Sequence, residues 1–217
     1  MKIKKLISAL VLGSILVGLS GCNITDFSAE NLLRPPKAVA DEAEIEQLIA
    51  KTADSGYTLK YPKNGKFRSA IIMTDLDGND SNEAVAFFRN SAETSSVHML
   101  VMYSKDNSWE IASDNIFETT DIDSVDFADL TGNGKAEIIV NSTTYTPNVG
   151  KLSCYSYSEG KTNEVGSGQS CSSFVTGDFD NDGTSEIMSL VLYTTENEAL
   201  ASMLDYNEDS KSLYAKA

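Results

Sequence analysis

Three nine-residue acidic segments constrain this chain more than any other feature. They are Asp75-Leu76-Asp77-Gly78-Asn79-Asp80-Ser81-Asn82-Glu83, Asp129-Leu130-Thr131-Gly132-Asn133-Gly134-Lys135-Ala136-Glu137 and Asp178-Phe179-Asp180-Asn181-Asp182-Gly183-Thr184-Ser185-Glu186. Each has oxygen-bearing side chains at positions 1, 3 and 5 and a glutamate at position 9. Glycine at position 6 lets the chain turn back sharply in the second and third, whereas the first has Asp80 there. The first positions are 54 and 49 residues apart. One loop per period of about 50 residues is the signature of a repeat architecture.

The flanks of the loops read as strands. An apolar run enters each loop (Ala70 to Thr74, Val125 to Ala128, Phe174 to Thr176) and another leaves it (Glu83 to Phe88, Glu137 to Val140, Glu186 to Tyr193). Two more follow in each unit: Val97 to Tyr103 and Trp109 to Ala112, then Lys151 to Tyr157 and about Asn163 to Gly166, then Leu200 to Tyr206 and Ser212 to Ala215. Turn signals separate them at Lys105-Asp106-Asn107, Ser158-Glu159-Gly160 and Asn207-Glu208-Asp209. Gly166-Ser167-Gly168-Gln169 reads as a further turn. Short strands at regular spacing predict an all-β fold. Four strands per unit match a propeller blade, so the expected architecture is a partial β-propeller of about three blades, near 67–118, 119–170 and 171–217. Three blades fall short of the usual four to eight, so the sequence is expected to be a piece of a longer propeller or to close with a second chain, and Tyr57 to Tyr61 is a candidate stray strand. Ahead of these units, residues 41–56 predict a short amphipathic helix. Asp41 is its expected N-cap, Ile45, Leu48 and Ile49 share one face, and Gly56 lies near its end.

The loops concentrate oxygen donors at a density that suits a hard cation such as Ca²⁺. The candidate ligands are Asp178, Asp180, Asp182, Thr184 and Glu186 in the third loop. In the first they are Asp75, Asp77, Asn79, Ser81 and Glu83, and in the second Asp129, Thr131, Asn133, Lys135 and Glu137. Affinity follows ligand charge, which orders the loops third, first, second, in the roughly 10⁻⁴–10⁻³ M range of extracellular calcium modules. An EF-hand needs a bidentate Glu at position 12 between helices; position 12 here is Ala86, Val140 and Ser189 among strands, which excludes it. Without an ion, such loops are tight turns whose acids cap backbone N–H groups.

Gly177-Asp178-Phe179-Asp180-Asn181-Asp182-Gly183 with Glu186-Ile187, and its two looser copies, resemble the FG-GAP and VCBS repeats of integrin-type β-propellers and secreted bacterial proteins. The resemblance covers roughly Phe67 to the C-terminus. It implies structural Ca²⁺ in the loop joining a blade's first two strands. The chain lacks the Gly-Ala-Pro that names one branch and sits nearer the bacterial VCBS type. Its Leu-Leu-Arg-Pro-Pro segment also resembles that of clostridial-type lipoproteins carrying such repeats.

The N-terminus carries an address. Lys2, Lys4 and Lys5 precede an uncharged apolar run from Leu6 to Leu19, closed by Ser20-Gly21-Cys22. The run is short for a membrane span and ends in small residues, as a cleaved secretory signal does. A cysteine at that point resembles a bacterial lipobox, which implies a lipid on Cys22 after removal of residues 1–21. Residues 22–40, with Pro35-Pro36, then form a linker that holds the domain off the outer face of the cell membrane. The 17 basic residues lose three with the signal, leaving 14 against 32 acids, a net charge of −18. So acidic a surface repels nucleic acid and anionic headgroups.

Export permits a disulfide between the two remaining cysteines, Cys154 and Cys171; two small buried side chains are the other arrangement open to them. No HExxH, GxSxG or phosphate loop is present, and the lone histidine, His98, sits in an apolar strand, where a structural role is usual. The expected function is therefore a membrane-anchored, calcium-binding module for a protein or glycan ligand, not an enzyme. The rival class is a calcium-dependent hydrolase or lyase for phosphorylated or polysaccharide substrates. Lys135 is the only basic residue in the three loops, which leaves little to hold such substrates.

Overall fold

The computed structural model describes residues 40–216 except 55, 94, 147 and 194–196. The signal (1–21), Cys22 and all but the last residue of the linker lie outside the described residues. No helix among the described residues is long and apolar enough to cross a membrane.

One helix, α1 (Ala40–Ala53), precedes thirteen strands. It starts one residue earlier than expected, so Asp41 lies in its first turn beside Glu42, where carboxylates complement the helix dipole. The strands are β1 (Tyr57–Leu59), β2 (Ile71–Thr74), β3 (Glu83–Asn90), β4 (Val97–Lys105), β5 (Ser108–Phe117), β6 (Ile122–Ala128), β7 (Glu137–Thr143), β8 (Gly150–Ser158), β9 (Lys161–Cys171), β10 (Ser173–Gly177), β11 (Glu186–Tyr193), β12 (Glu198–Asn207) and β13 (Ser212–Lys216). They build three antiparallel sheets: β2 to β5 with β1 added, β6 to β9, and β10 to β13. Within each sheet, consecutive strands pair. Strand β1 shares the outer edge of β3 with β2, pairing Tyr57 with Asn90 while β2 pairs Thr74 with Glu83.

Turn chemistry explains the tight hairpins. Asp106 and Asn107 both have positive φ (52° and 63°), as do Glu159 and Gly160 (52° and 72°), the pattern of a type I′ turn between two twisted strands. The segment Gly166-Ser167-Gly168-Gln169, expected as a turn, instead lies inside β9. Two register shifts between β8 and β9 and a φ of +91° at Gly168 absorb the glycines as bulges.

Side chains alternate across each sheet and build three cores in a row. Ile45, Ile49 and Ala53 of α1 pack on Ala84, Ala86 and Phe88 of β3. The opposite face of β3, Val85 and Phe87, packs with Ile138, Val140 and Tyr155 of the second sheet. The other face of that sheet, including Ile139, Leu152 and Cys154, packs on Ile187, Leu204 and Leu213 of the third. The order of layers is helix, first sheet, second sheet, third sheet. No core among the described residues joins the third sheet to the first, and the sheets do not close into a ring.

The register also bears on the candidate disulfide. Cys171 pairs with Gly150, while Cys154 lies four residues further along β8. Four residues of strand span about 13 Å, beyond the roughly 7 Å limit between bridged Cα atoms. Both cysteines are free, buried thiols, and burial pushes the Cys171 thiol up to about 11.

Candidate metal centre

Each acidic segment joins the first two strands of its sheet, and the three share one hydrogen-bond frame. The position-1 carboxylate gathers the N–H groups that follow it. Asp75 Oδ1 accepts from Gly78 at 2.8 Å and from Asn79 at 3.2 Å, and its Oδ2 accepts from Asp80 at 2.9 Å. Asp129 accepts from Asn133 and Gly134, and Asp178 from Asp182 and Gly183. The position-5 side chain accepts the position-7 N–H: Asn79 from Ser81, Asn133 from Lys135, and Asp182 from Thr184. The position-9 glutamate accepts the position-2 N–H at 2.8 Å in every loop: Glu83 from Leu76, Glu137 from Leu130, Glu186 from Phe179. The strand that leaves the loop thus pins the start of the loop through a buried carboxylate.

Backbone conformation repeats as well. Position 6 is left-handed throughout, with Asp80 at φ 65°, Gly134 at 79° and Gly183 at 95°. Position 4 is left-handed too: Gly78 at 73°, Gly132 at 70° and Asn181 at 63°. The recurrence of glycine at position 4 of the first two loops was the sequence signal for this second reversal.

The loops then touch one another. The N–H of Ala136 donates to the Leu76 carbonyl at 3.1 Å, and the N–H of Ser185 to the Asp129 carbonyl at 2.8 Å. A side chain at Gly78 would meet the Gly134 carbonyl at 3.2 Å, and one at Gly132 would meet Thr184 Cγ2 at 2.6 Å. Position 4 is where each following loop docks.

The donor sets differ in a way that decides what each can hold. Carboxylate oxygens of Asp178, Asp180, Asp182 and Glu186 lie within 4.8 Å of one another, as do those of Asp75, Asp77 and Glu83. Glu186 is 0% exposed, and its Oε1 has no hydrogen-bond partner; Asp77 Oδ1 is likewise buried and unpaired. A buried carboxylate oxygen without a donor is costly unless a cation neutralises it. The second loop escapes this cost: Thr131, at position 3, donates its hydroxyl to Glu137 Oε1 at 3.3 Å. Burial pushes Glu83 and Glu137 above the usual carboxylate range, and the loop aspartates add to this. At Asp75, burial also pushes upward, but the backbone N–H groups of Asp80, Gly78 and Asn79 together hold its carboxyl below the usual value.

One basic side chain reaches this cluster from far along the chain. Lys216 Nζ lies 2.5 Å from Asp180 Oδ2 and 2.9 Å from Asp205 Oδ2. His98 is buried, stacks on Phe88, and is held between Asp114 and Glu93, with no hydroxyl or thiol among the described residues hydrogen-bonded to either nitrogen.

Searches with models of known protein families and among curated proteins matched nothing.

Proposed function

We propose that the chain is an exported lipoprotein, held to the outer face of the cell membrane through Cys22, whose calcium-stiffened β-propeller repeats form a binding or scaffold surface. The three sheets, joined face to face and sharing one loop frame, are read as consecutive blades. The observation that carries the calcium assignment is Glu186, fully buried with one carboxylate oxygen unpaired beside three further aspartates.

Asp178, Asp180, Asp182 and Glu186 would hold one Ca²⁺, and Asp75, Asp77, Asn79 and Glu83 a second. The ion supplies positive charge that turns repulsion between clustered acids into shared coordination. The protein's part is to preform the cage: the position-1 aspartate is fixed by backbone N–H groups, and the position-9 glutamate is fixed by the position-2 N–H. The Asp129 loop is closed by its own Thr131 hydroxyl and keeps the turn without an ion. In this reading calcium holds blades together and takes no part in chemistry, and the ligand is a protein or glycan.

Two measurements test this. Fractionating cells that express the full chain places it in the membrane pellet, and Cys22→Ala moves it out of the lipidated pool; a chain that carries no lipid contradicts the anchoring. Incubating the calcium-loaded protein with phosphate esters and with a glycan panel yields binding without turnover. Turnover that disappears in Asp180→Ala would establish the enzymatic alternative instead.

A further inference from the structure

The second sheet departs from the first at one buried place that the acidic loops do not explain. Counted from the position-9 glutamates, Phe87, Asn141 and Leu190 are equivalent positions. Strand pairing extends the match between the first two sheets. Phe87 pairs with Met99 and Val97 with Phe117, as Asn141 pairs with Leu152 and Gly150 with Cys171. Phe87, Val97 and Phe117 fill the core between the first and second sheets. Their counterparts Asn141, Gly150 and Cys171 lie on the face of the second sheet whose Ile139 and Leu152 pack towards the third. Three apolar side chains are thus replaced by an amide, a bare backbone and a thiol, and a cavity of about 430 Å³ opens beside Asn141 and Gly150.

Asn141 is 1% exposed, yet its Oδ1 has no hydrogen-bond partner among the described residues. Its Nδ2 donates to Asp123 Oδ2 at 3.4 Å, and Asn64 Nδ2 donates to Asp123 Oδ1 at 2.9 Å. These bonds orient the amide and leave its oxygen on the Gly150 side. A Cβ at position 150 would stand 2.3 Å from that oxygen, so glycine is what gives it room. An open acceptor where the first sheet buries Phe87 weakens the fold, and a ligand that donates to it recovers the loss.

We propose that this cavity binds a neutral saccharide, which makes it the glycan site of the binding module proposed above and rests on that reading. The open group, Asn141 Oδ1, is an uncharged acceptor, and Asp123 adds a second acceptor to the wall. Ser172 Oγ accepts the Leu192 N–H at 2.9 Å, which leaves its own hydroxyl hydrogen to donate. The ligand must therefore offer donors and acceptors close together, and a sugar hydroxyl is both in one group. A phosphate or carboxylate would set further acceptors against Asn141 Oδ1 and Asp123, while Lys63, the lysine of the wall, is engaged by Asp121 at 3.1 Å. The volume falls in the range of small-molecule pockets and suits about one or two sugar rings. The cavity lies at the end of β7 away from Glu137, so saccharide and calcium share no ligands.

The test is saturation-transfer NMR on the full chain with free glucose, galactose, mannose and N-acetylglucosamine, and with butylammonium and inorganic phosphate for contrast. At least one sugar is expected to bind, with a dissociation constant of about 1 mM. Asn141→Leu, apolar like its counterparts Phe87 and Leu190, weakens that binding by about tenfold or more and melts no lower than wild type. Ser173→Trp, an exposed position in the cavity wall, blocks binding without touching a core, and decides the matter if Asn141→Leu does not fold. Absence of signal from every sugar would overturn the proposal. So would a sugar signal that either folded variant retains, or binding of butylammonium or phosphate in place of the sugars. The same samples are melted with and without Ca²⁺. A calcium shift without sugar binding removes this site alone, whereas sugar binding without a calcium shift removes the calcium assignment and keeps the site.

Discussion

The backbone N–H of Ser185 donates to the carbonyl oxygen of Asp129 at 2.8 Å, tying the third acidic loop to the second. Ala136 and Leu76 make the matching bond between the second loop and the first. The loops are thus coupled to one another as well as to their own sheets, and changes at their contacts test that coupling.

Gly132 and Gly134 separate backbone strain from loop docking. Both have positive φ, but a side chain at Gly134 meets nothing within 4 Å, whereas one at Gly132 meets Thr184 Cγ2 at 2.6 Å. Gly134→Ala costs about 1 kcal/mol for its left-handed backbone. Gly132→Ala costs that plus about 1–3 kcal/mol of overpacking. Adding Thr184→Ser removes the offending methyl and restores part of the loss. Urea denaturation of the three variants measures this; equal costs at 132 and 134 would show that the loops do not press on one another.

Asp80 occupies a left-handed position, φ 65°, that the other two loops give to glycine. It also adds an acid to a cluster that already holds Asp75, Asp77 and Glu83. Asp80→Gly is expected to stabilise the metal-free protein by about 0.5 kcal/mol. A lower denaturation midpoint than wild type would mean that the Asp80 carboxylate has a role the loop frame does not reveal.

Asp121 gives the fold an acid limit outside the loops. Lys60 Nζ lies 2.6 Å from its Oδ1 and Lys63 Nζ 3.1 Å from its Oδ2. Burial opposes its charge, but the two ammonium groups hold its carboxyl below the ordinary 3.8. A carboxyl depressed in the folded state contributes stability above its unfolded value, and this is lost as pH falls through the folded one. Asp121→Asn should therefore cost about 1 kcal/mol at pH 7, a gap that narrows below about pH 4 and closes in stronger acid. Unfolding curves across pH 2–7 check it; a gap independent of pH would assign the loss to packing.

Much of this was legible because one residue pattern recurs three times. The strand–loop–strand grammar follows from apolar runs on either side of fixed acids, and it led to the all-β fold. The helix was legible from Ile45, Leu48 and Ile49 on one face, although Asp41 entered the helix instead of capping it. Contacts distant in sequence were not legible. Lys216 reaches Asp180 only because β13 lies beside β12. The separation of Cys154 from Cys171 depends on the β8–β9 register, which two bulges set. Gly166 and Gly168 look like turn residues until those bulges are known. The hydroxyl of Thr131 reads as a weak ligand in sequence, yet in three dimensions it satisfies Glu137 Oε1, whose counterpart on Glu186 in the third loop is left unpaired.

We propose that the Asp178 and Asp75 loops hold calcium that stabilises the fold. Thermal melting of the full chain in chelator and in 0.01–5 mM Ca²⁺ tests it most directly. With dissociation constants of about 10⁻⁴ M, 1 mM Ca²⁺ adds roughly 1.4 kcal/mol per site, a rise of about 3–5 °C for each. Glu186→Gln is predicted to remove the larger part of that rise, while Glu137→Gln leaves the calcium-dependent rise as it was. Identical melting in chelator and in 5 mM Ca²⁺, with no heat on calorimetric titration, would contradict the account.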